Sequence, residues 1–250
     1  LDPPLHEFIP SSKESIKKLA SDLDTTIQNI ETQIENLKEF NPMLGHRGCR
    51  LGITSPEITE MQAKAIFNAA YRLKKENIKC CPEIMIPLIG SVEEFIHQKN
   101  IIDSIAITLN KKYKTKLNHS IGTMIELPRA CLIADQIAEQ ADFISFGTND
   151  LTQTTFGFSR DDISTFLPQY INNNIIKKDP FISLDINGVG ELIKIAVKKA
   201  RLIKPKIKIG ICGEHGGDSK SIAFFHSMKF DYISCSPFRL PPAYLAAAKQ

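Results

Sequence analysis

The chain has 250 residues, 42% hydrophobic and 24% charged, with a formal net charge of +3. Those are the proportions of an ordinary soluble globular protein able to bury one large core or two small ones. The charge is too small to argue for a nucleic-acid partner, and no basic run is interleaved with aromatics. No stretch approaches the roughly 18 consecutive apolar residues of a membrane span. The opening LDPPLHEFIP has neither the basic nor the apolar region of a signal peptide. It also lacks an initiating Met, which gives the expectation that the chain is a piece of something longer. Cys49, Cys80, Cys81, Cys131, Cys212 and Cys235 form no CxxC pair and no zinc-ligand spacing. Four of them fall in or beside apolar runs, and a reducing, cytoplasmic setting is expected.

Leu1 to Pro10 has the look of a strand tail running into a loop, since its paired prolines forbid a helix. Ser11 to about Phe40 has helical spacing, with Ile16, Leu19, Leu23, Ile27 and Ile30 three to four residues apart. Gly45 to Gly52 is read as a short extended segment before a helix from about Pro56 to Asn77. Cys80 to Ile89 reads as a buried strand, followed by a helix near Ser91-Val92-Glu93-Glu94. His119 to Leu127 is the next strand, and the helix Pro128 to Gln140 follows, Pro128 suiting a first turn. Phe143 to Thr148 is again a strand, with a polar loop and a short helix behind it. The remaining elements are a helix over Gly188 to Ile203, a strand over Ile207 to Gly213, and a helix over Asp218 to Lys229 capped by Asp218 or Ser219. A strand over Tyr232 to Ser236 and a helix over Pro241 to Gln250 close the chain. No linker divides it, so residues 1–250 are one domain.

Strand and helix alternate throughout, and the strands have the apolar make-up of strands covered on both faces. That predicts a parallel sheet, either doubly wound or closed as a (β/α)8 TIM-type barrel. No GxGxxG and no P-loop occurs. A barrel explains better why polar residues end every strand, because it gathers all strand ends around one mouth. The count is six strands plus the tail at Leu1-Asp2, with the first strand and most of the second expected upstream of Leu1.

Five groups of residues are candidates for chemistry. Glu126 sits in an otherwise apolar strand end, where a carboxylate is costly to bury unless it is paired or binds a cation. With Asp150 at the next strand end it makes an oxygen pair without clustered His or Cys, which favours a hard ion such as Mg²⁺. The alternative is that Glu126 pairs with Arg129 or Arg47. Gly147-Thr148-Asn149-Asp150 concentrates a hydroxyl, an amide and a carboxylate after a buried strand, although the same residues are good turn and helix-cap material. Cys212, followed by Gly213-Glu214-His215-Gly216-Gly217, is a nucleophile or general acid, or else an inert core thiol. Arg47, Arg50 and Arg160 offer planar donor forks to anionic oxygens, or else make surface ion pairs. His46 and His215 each adjoin a glycine and are read as hydrogen-bond donors in the site.

Asn41 to Ile53 (NPMLGHRGCRLGI), Gly122 to Ala130 (GTMIELPRA), Phe146 to Asp162 (FGTNDLTQTTFGFSRDD) and Gly210 to Asp218 (GICGEHGGD) are long and ordered motifs. Together they resemble the pyruvate phosphate dikinases, and more narrowly their C-terminal phosphoenolpyruvate/pyruvate-binding barrel. The phosphoenolpyruvate synthases and the phosphotransferase-system enzyme I share the barrel and the GTND run. HRGCRLG and CGEHGGD are nearer to the dikinases.

The resemblance implies that Glu126 and Asp150 hold Mg²⁺ and orient the enolate and carboxylate oxygens of pyruvate or phosphoenolpyruvate. It implies that Gly147, Thr148 and Asn149 contact substrate, that Arg160 reaches the transferred phosphoryl group, and that Cys212 protonates the enolate carbon. Arg47 joins the substrate-binding set. The family's nucleotide-binding and phosphohistidine domains and two substrate arginines have no counterpart here, and a homodimer is implied. The competing readings are a synthase or enzyme I barrel, a non-catalytic ligand-binding or dimerising piece, and a metal-dependent aldolase or lyase.

Overall fold

Five short strands, each followed by a helix or helical turn, make one parallel sheet in the computed structural model, which describes residues 1–3, 9–37 and 44–249. They are β1 (Glu83–Ile86), β2 (Ser120–Ile125), β3 (Phe143–Gly147), β4 (Lys208–Cys212) and β5 (Tyr232–Ile233). Their order across the sheet is β1-β2-β3-β4-β5, every neighbour parallel. Because the order never reverses, there is no switch point of the doubly wound kind. All the strands therefore end along the same edge. Gly147 pairs with Cys212 across β3 and β4, so the two best-marked motifs of the sequence meet there.

Side chains alternate across the sheet, and the alternation divides its work. Ile84, Ile86, Ile121, Ile125, Ile144, Phe146, Ile209 and Ile211 are all buried in one continuous core with the surrounding helices. That core takes in Phe67 from the helix Pro56–Lys75, Phe95 from Val92–Tyr113 and Ile193 from Val189–Ile203. The helices Pro56–Lys75 and Val92–Tyr113 pack on each other, as do Ala134–Gln140 and Val189–Ile203. The intervening positions, among them Met85, Met124, Cys212 and Tyr232, are only half-buried. Burial on both faces, expected for every strand, runs the full length only of the central β3 and is confined to the middle of β2 and β4. Among the described residues the helices cover one face of the flanking strands.

Several elements differ from the expectation drawn from the sequence. The helix from Ser11 is two helices, Lys13–Asp22 and Ile27–Leu37. Asp24 takes a left-handed φ of 48° between them, and the Thr26 hydroxyl accepts from Asn29 N at 3.2 Å to start the second. Gly45 to Gly52 does not stay extended, and the sixth strand counted there is absent among the described residues. Gly48, at φ 56°, starts the helix Gly48–Thr54, and Cys49 N donates to Pro87 O at 3.3 Å instead of joining a ladder. Pro128 to Gln140 breaks at Ile133 into Pro128–Leu132 and Ala134–Gln140. The last strand stops at Ile233 because the chain turns at Pro237. Residues 4–8 of the Leu1 to Pro10 segment, the helix end at Lys38 to Phe40, Asn41 to Met43 of the first motif, and Gln250 lie outside the described residues.

A smaller apolar cluster of Ile163, Leu167 and Phe181, with Phe158, Phe166 and Ile171 against it, fills the excursion between β3 and the helix Val189–Ile203. It gives that excursion its own core.

Close packing on the inner face of β2 yields a test. A Cβ on Gly122 would press on the carbonyl oxygen of Phe143 and lie 2.6 Å from its ring. Gly122→Ala is expected to lower stability by about 1–3 kcal/mol, the usual cost of overpacking, in urea or thermal unfolding. An unchanged midpoint would show that β2 and β3 are looser than described.

Candidate active site

The strand ends enclose a cavity of about 200 Å³ lined by Arg47, Met85, Pro87, Met124, Glu126, Gly147, Asn149, Asp150, Cys212 and Gly213, together with Leu1 and Asp2. The chemical residues other than Arg47 arrive from three successive strand ends and the segments that follow them. Glu126 is the first residue beyond β2, Cys212 is the last of β4, and Asn149 and Asp150 stand in the first turn of the helix Thr148–Phe156. Gly147 ends β3 without a side chain because there is no room for one: a Cβ would lie 2.5 Å from Glu126 Oε2 and 2.6 Å from Met124 Sδ. As the residue before the helix it also offers no capping group to the first-turn amides.

Glu126 is 2% and Asp150 8% exposed. Glu126 Oε1 accepts from Leu88 N at 2.7 Å. Leu88 can point that amide inward because it takes a left-handed φ of 56° directly after Pro87. Burial, and then the neighbouring Asp150, push the Glu126 carboxyl well above the ordinary carboxylate range. Arg47 Nη2 lies 3.6 Å from Asp150 Oδ2 and 2.5 Å from Asp2 Oδ2. The other Asp150 oxygen, Oδ1, is buried and meets no N–H or hydroxyl donor among the described residues, and the Asp150 and Glu126 carboxyls lie within hydrogen-bonding reach of each other.

A buried carboxylate oxygen without a donor is expensive unless a proton or a cation meets it. Two carboxylates from adjacent strand ends, one with an open oxygen, fit a hard divalent ion that completes its shell with water or ligand oxygens. Among the described residues no group of three or more His, Cys, Asp or Glu forms a ready-made metal cage. The rest of such a shell would have to come from solvent or ligand.

Cys212 faces the same cavity, its Sγ 3.8 Å from both Met124 Sδ and Phe146 O. Burial, and then the charges of Glu126 and Asp150, push its thiol up to about 11. At neutral pH it carries its proton, the state required of an acid and not of a nucleophile.

Thr148 and Arg160 are not in this cavity. Thr148 is fully buried behind it, its Oγ1 2.7 Å from His215 Nδ1. Arg160 lines a separate cavity of about 450 Å³ with Asp179, Glu214, Asp218 and Arg239, and its Nη2 lies 3.3 Å from Glu214 Oε1. The two cavities are linked through Glu214, whose N–H donates to Asn149 Oδ1 at 3.4 Å. Gln153 Oε1 accepts from Arg160 N at 2.9 Å and holds the loop that carries the arginine.

His46 does not serve the site. It is exposed and its Nε2 lies 2.5 Å from Thr54 Oγ1, because the helix Gly48–Thr54 folds back over it. Arg50 donates to the carbonyls of Leu44 and Gly45, which commits it to its own loop. Arg129 donates to Gly90 O, so it is not the partner of Glu126. The sequence reading missed the inward Leu88 amide and the methionine floor of Met85 and Met124. The Pro-Leu-Ile-Gly ending of β1 was a signal for the first, and the period-two position of Met124 before Glu126 for the second.

The whole chain, residues 1–250, matches the family described as PEP-utilising enzyme, PEP-binding domain. The chain belongs to that family. It is 54% identical over 250 residues to pyruvate, phosphate dikinase from Rickettsia bellii, covering all of this chain and 28% of that protein. It is 52% identical to the enzymes of that name from Oryza sativa subsp. japonica, there described as chloroplastic, and Clostridium symbiosum. Of those it covers 26% and 29% respectively. The chain therefore spans less than a third of the length of these relatives. A citrate lyase from Burkholderia xenovorans overlaps 67% of the chain and 49% of its own, at 13% identity and a TM-score of 0.43. That overlap is too slight to bear an argument. No helix among the described residues of this PEP-binding domain is long and apolar enough to cross a membrane.

The raised Glu126 carboxyl has a consequence for folding. The native chain keeps this proton to higher pH than the unfolded chain does, so stability falls as pH rises from the acidic range through neutrality. The thermal midpoint in EDTA should decline over that interval, and Glu126→Gln, which keeps the acceptor for Leu88 N, should flatten the decline. Equal pH dependence in both chains would contradict the assignment.

Proposed function

We propose that this PEP-binding domain holds pyruvate or phosphoenolpyruvate with Mg²⁺ at the Glu126–Asp150 pair. On this reading it performs the pyruvate half-reaction of a pyruvate phosphate dikinase. The observation that carries the proposal is the meeting of two buried carboxyl groups, an arginine and a thiol in one cavity at the ends of parallel strands.

Glu126 and Asp150 would hold the ion, Asp150 through its open Oδ1. When bound, Mg²⁺ supplies Lewis-acid stabilisation of charge on the enolate and carboxylate oxygens. Arg47 stands beside Asp150 to balance anionic oxygens of the ligand. Met85 and Met124 make an apolar wall that keeps water from the reacting carbon. Cys212 gives its proton to the methylene carbon when the enolate becomes pyruvate, and takes one from the methyl group in the reverse direction. Arg160 serves the phosphoryl group from the adjoining cavity, which requires it to leave Glu214.

On the family resemblance, the phosphoryl donor is then a phosphohistidine of another domain and the nucleotide chemistry belongs to a third. The complete reaction would convert ATP, phosphate and pyruvate to AMP, pyrophosphate and phosphoenolpyruvate. The uninterrupted strand order supports a (β/α)8 barrel as the parent architecture. Six free cysteines favour a reducing, cytoplasmic compartment, and the family resemblance favours a homodimer.

Exchange of the pyruvate methyl protons with D2O, followed by NMR, tests the proton step. Exchange should require Mg²⁺ and stop with EDTA. Cys212→Ala should slow it by about a hundredfold or more, the usual worth of a positioned acid or base, while oxalate still binds. Wild-type exchange in Cys212→Ala would remove the thiol from the mechanism.

A further inference from the structure

The loop after β4 is pinned by a histidine that the proposed chemistry does not use. His215 is fully buried, with Nε2 2.8 Å from Pro180 O and Nδ1 2.7 Å from Thr148 Oγ1. A carbonyl oxygen only accepts, so the ring hydrogen sits on Nε2. Burial keeps the ring neutral, which leaves Nδ1 as an acceptor for the Thr148 hydroxyl.

The same hydroxyl lies 3.3 Å from Cys212 O, but it has one hydrogen, which goes to the shorter and better acceptor. Gly213 lets the loop come this close: its φ is +120°, and a Cβ there would meet Thr148 Oγ1 at 2.8 Å. The imidazole therefore stands where three segments meet, namely the start of the helix carrying Asp150, the loop that follows Cys212 and the chain at Pro180.

We propose that His215 is a positioning residue: neutral and protonated at Nε2, it accepts the Thr148 hydroxyl hydrogen at Nδ1 and fixes Asp150 and Cys212 relative to each other. Thr148 then offers a ligand its backbone N–H and not its hydroxyl. The role refines the site proposed above, and its kinetic consequence rests on that reading. The tautomer does not.

Long-range ¹H–¹⁵N NMR of the ¹⁵N-labelled chain, with His215→Asn to identify the ring signals, reads the tautomer directly. The expected spectrum at neutral pH has a protonated Nε2 and a bare Nδ1, with Thr148→Val displacing the Nδ1 signal. A protonated Nδ1, or an imidazolium, overturns the proposal whatever the chain binds. Kinetically, Thr148→Val should slow pyruvate methyl exchange by about tenfold, the order of effect of a small misplacement, with oxalate affinity changed by less than about threefold. Thr148→Ser should restore most of the rate. Exchange at the wild-type rate in a folded Thr148→Val chain, or affinity and rate falling together, overturns it. If the wild-type chain neither binds oxalate nor exchanges pyruvate, the site reading fails, and the nitrogen spectrum alone decides the role of His215.

Discussion

Two carboxylates buried side by side at the ends of neighbouring strands are the constraint on which the rest of this structure depends. Like charges in a low-dielectric pocket repel, and each also loses its hydration. The chain relieves part of this cost with the Leu88 amide on Glu126 and the Arg47 guanidinium beside Asp150. Glu126 lessens the repulsion further by keeping its proton to higher pH than usual, while Asp150 Oδ1 meets no N–H or hydroxyl donor among the described residues. On the proposed reading, a bound cation would recover the remaining cost.

The sheet is organised to bear this arrangement. Alternation along each strand sends isoleucines into the helices and reserves the other face for Met124, Gly147 and Cys212. A one-residue slip between β2 and β3 would exchange those faces and carry Glu126 out of the cavity. Gly122 and Gly147 guard the register from the inner face, where neighbouring atoms leave no room for a Cβ. Beyond the strand ends, His215 and Asn149 tie the β4 loop to the helix after β3, so the thiol side and the carboxylate side of the cavity move as one. The separate aromatic cluster around Phe158 and Phe166 steadies the excursion that carries Arg160.

Much of this was legible in the sequence where one local rule sufficed. Buried strands ending in polar residues located β2, β3 and β4, and the helix expected near Ser91 begins there, with Ser91 and Glu94 forming a capping box. Glu126, Asn149, Asp150, Arg47 and Cys212 were named from residue type and position, and one cavity gathers them. What escaped depended on contacts distant in sequence. Gly48–Thr54 is helical because it docks on the Pro87-Leu88 turn, some forty residues on, and no local pattern announces that. His215 seemed a donor into the site, but its partners, Thr148 and Pro180, lie 67 and 35 residues away and turn it inward. Arg160 stands in the neighbouring cavity because Gln153 and Glu214 hold it there.

The most direct measurement is calorimetric titration of the folded chain with oxalate, a mimic of the pyruvate enolate, with and without Mg²⁺, for wild type, Glu126→Gln and Asp150→Asn. The account predicts binding by wild type only with Mg²⁺, and its loss in both variants while circular dichroism shows them folded. Equal binding in EDTA, or binding by Glu126→Gln at wild-type affinity, would contradict the claim that the buried carboxylate pair is the centre of the site.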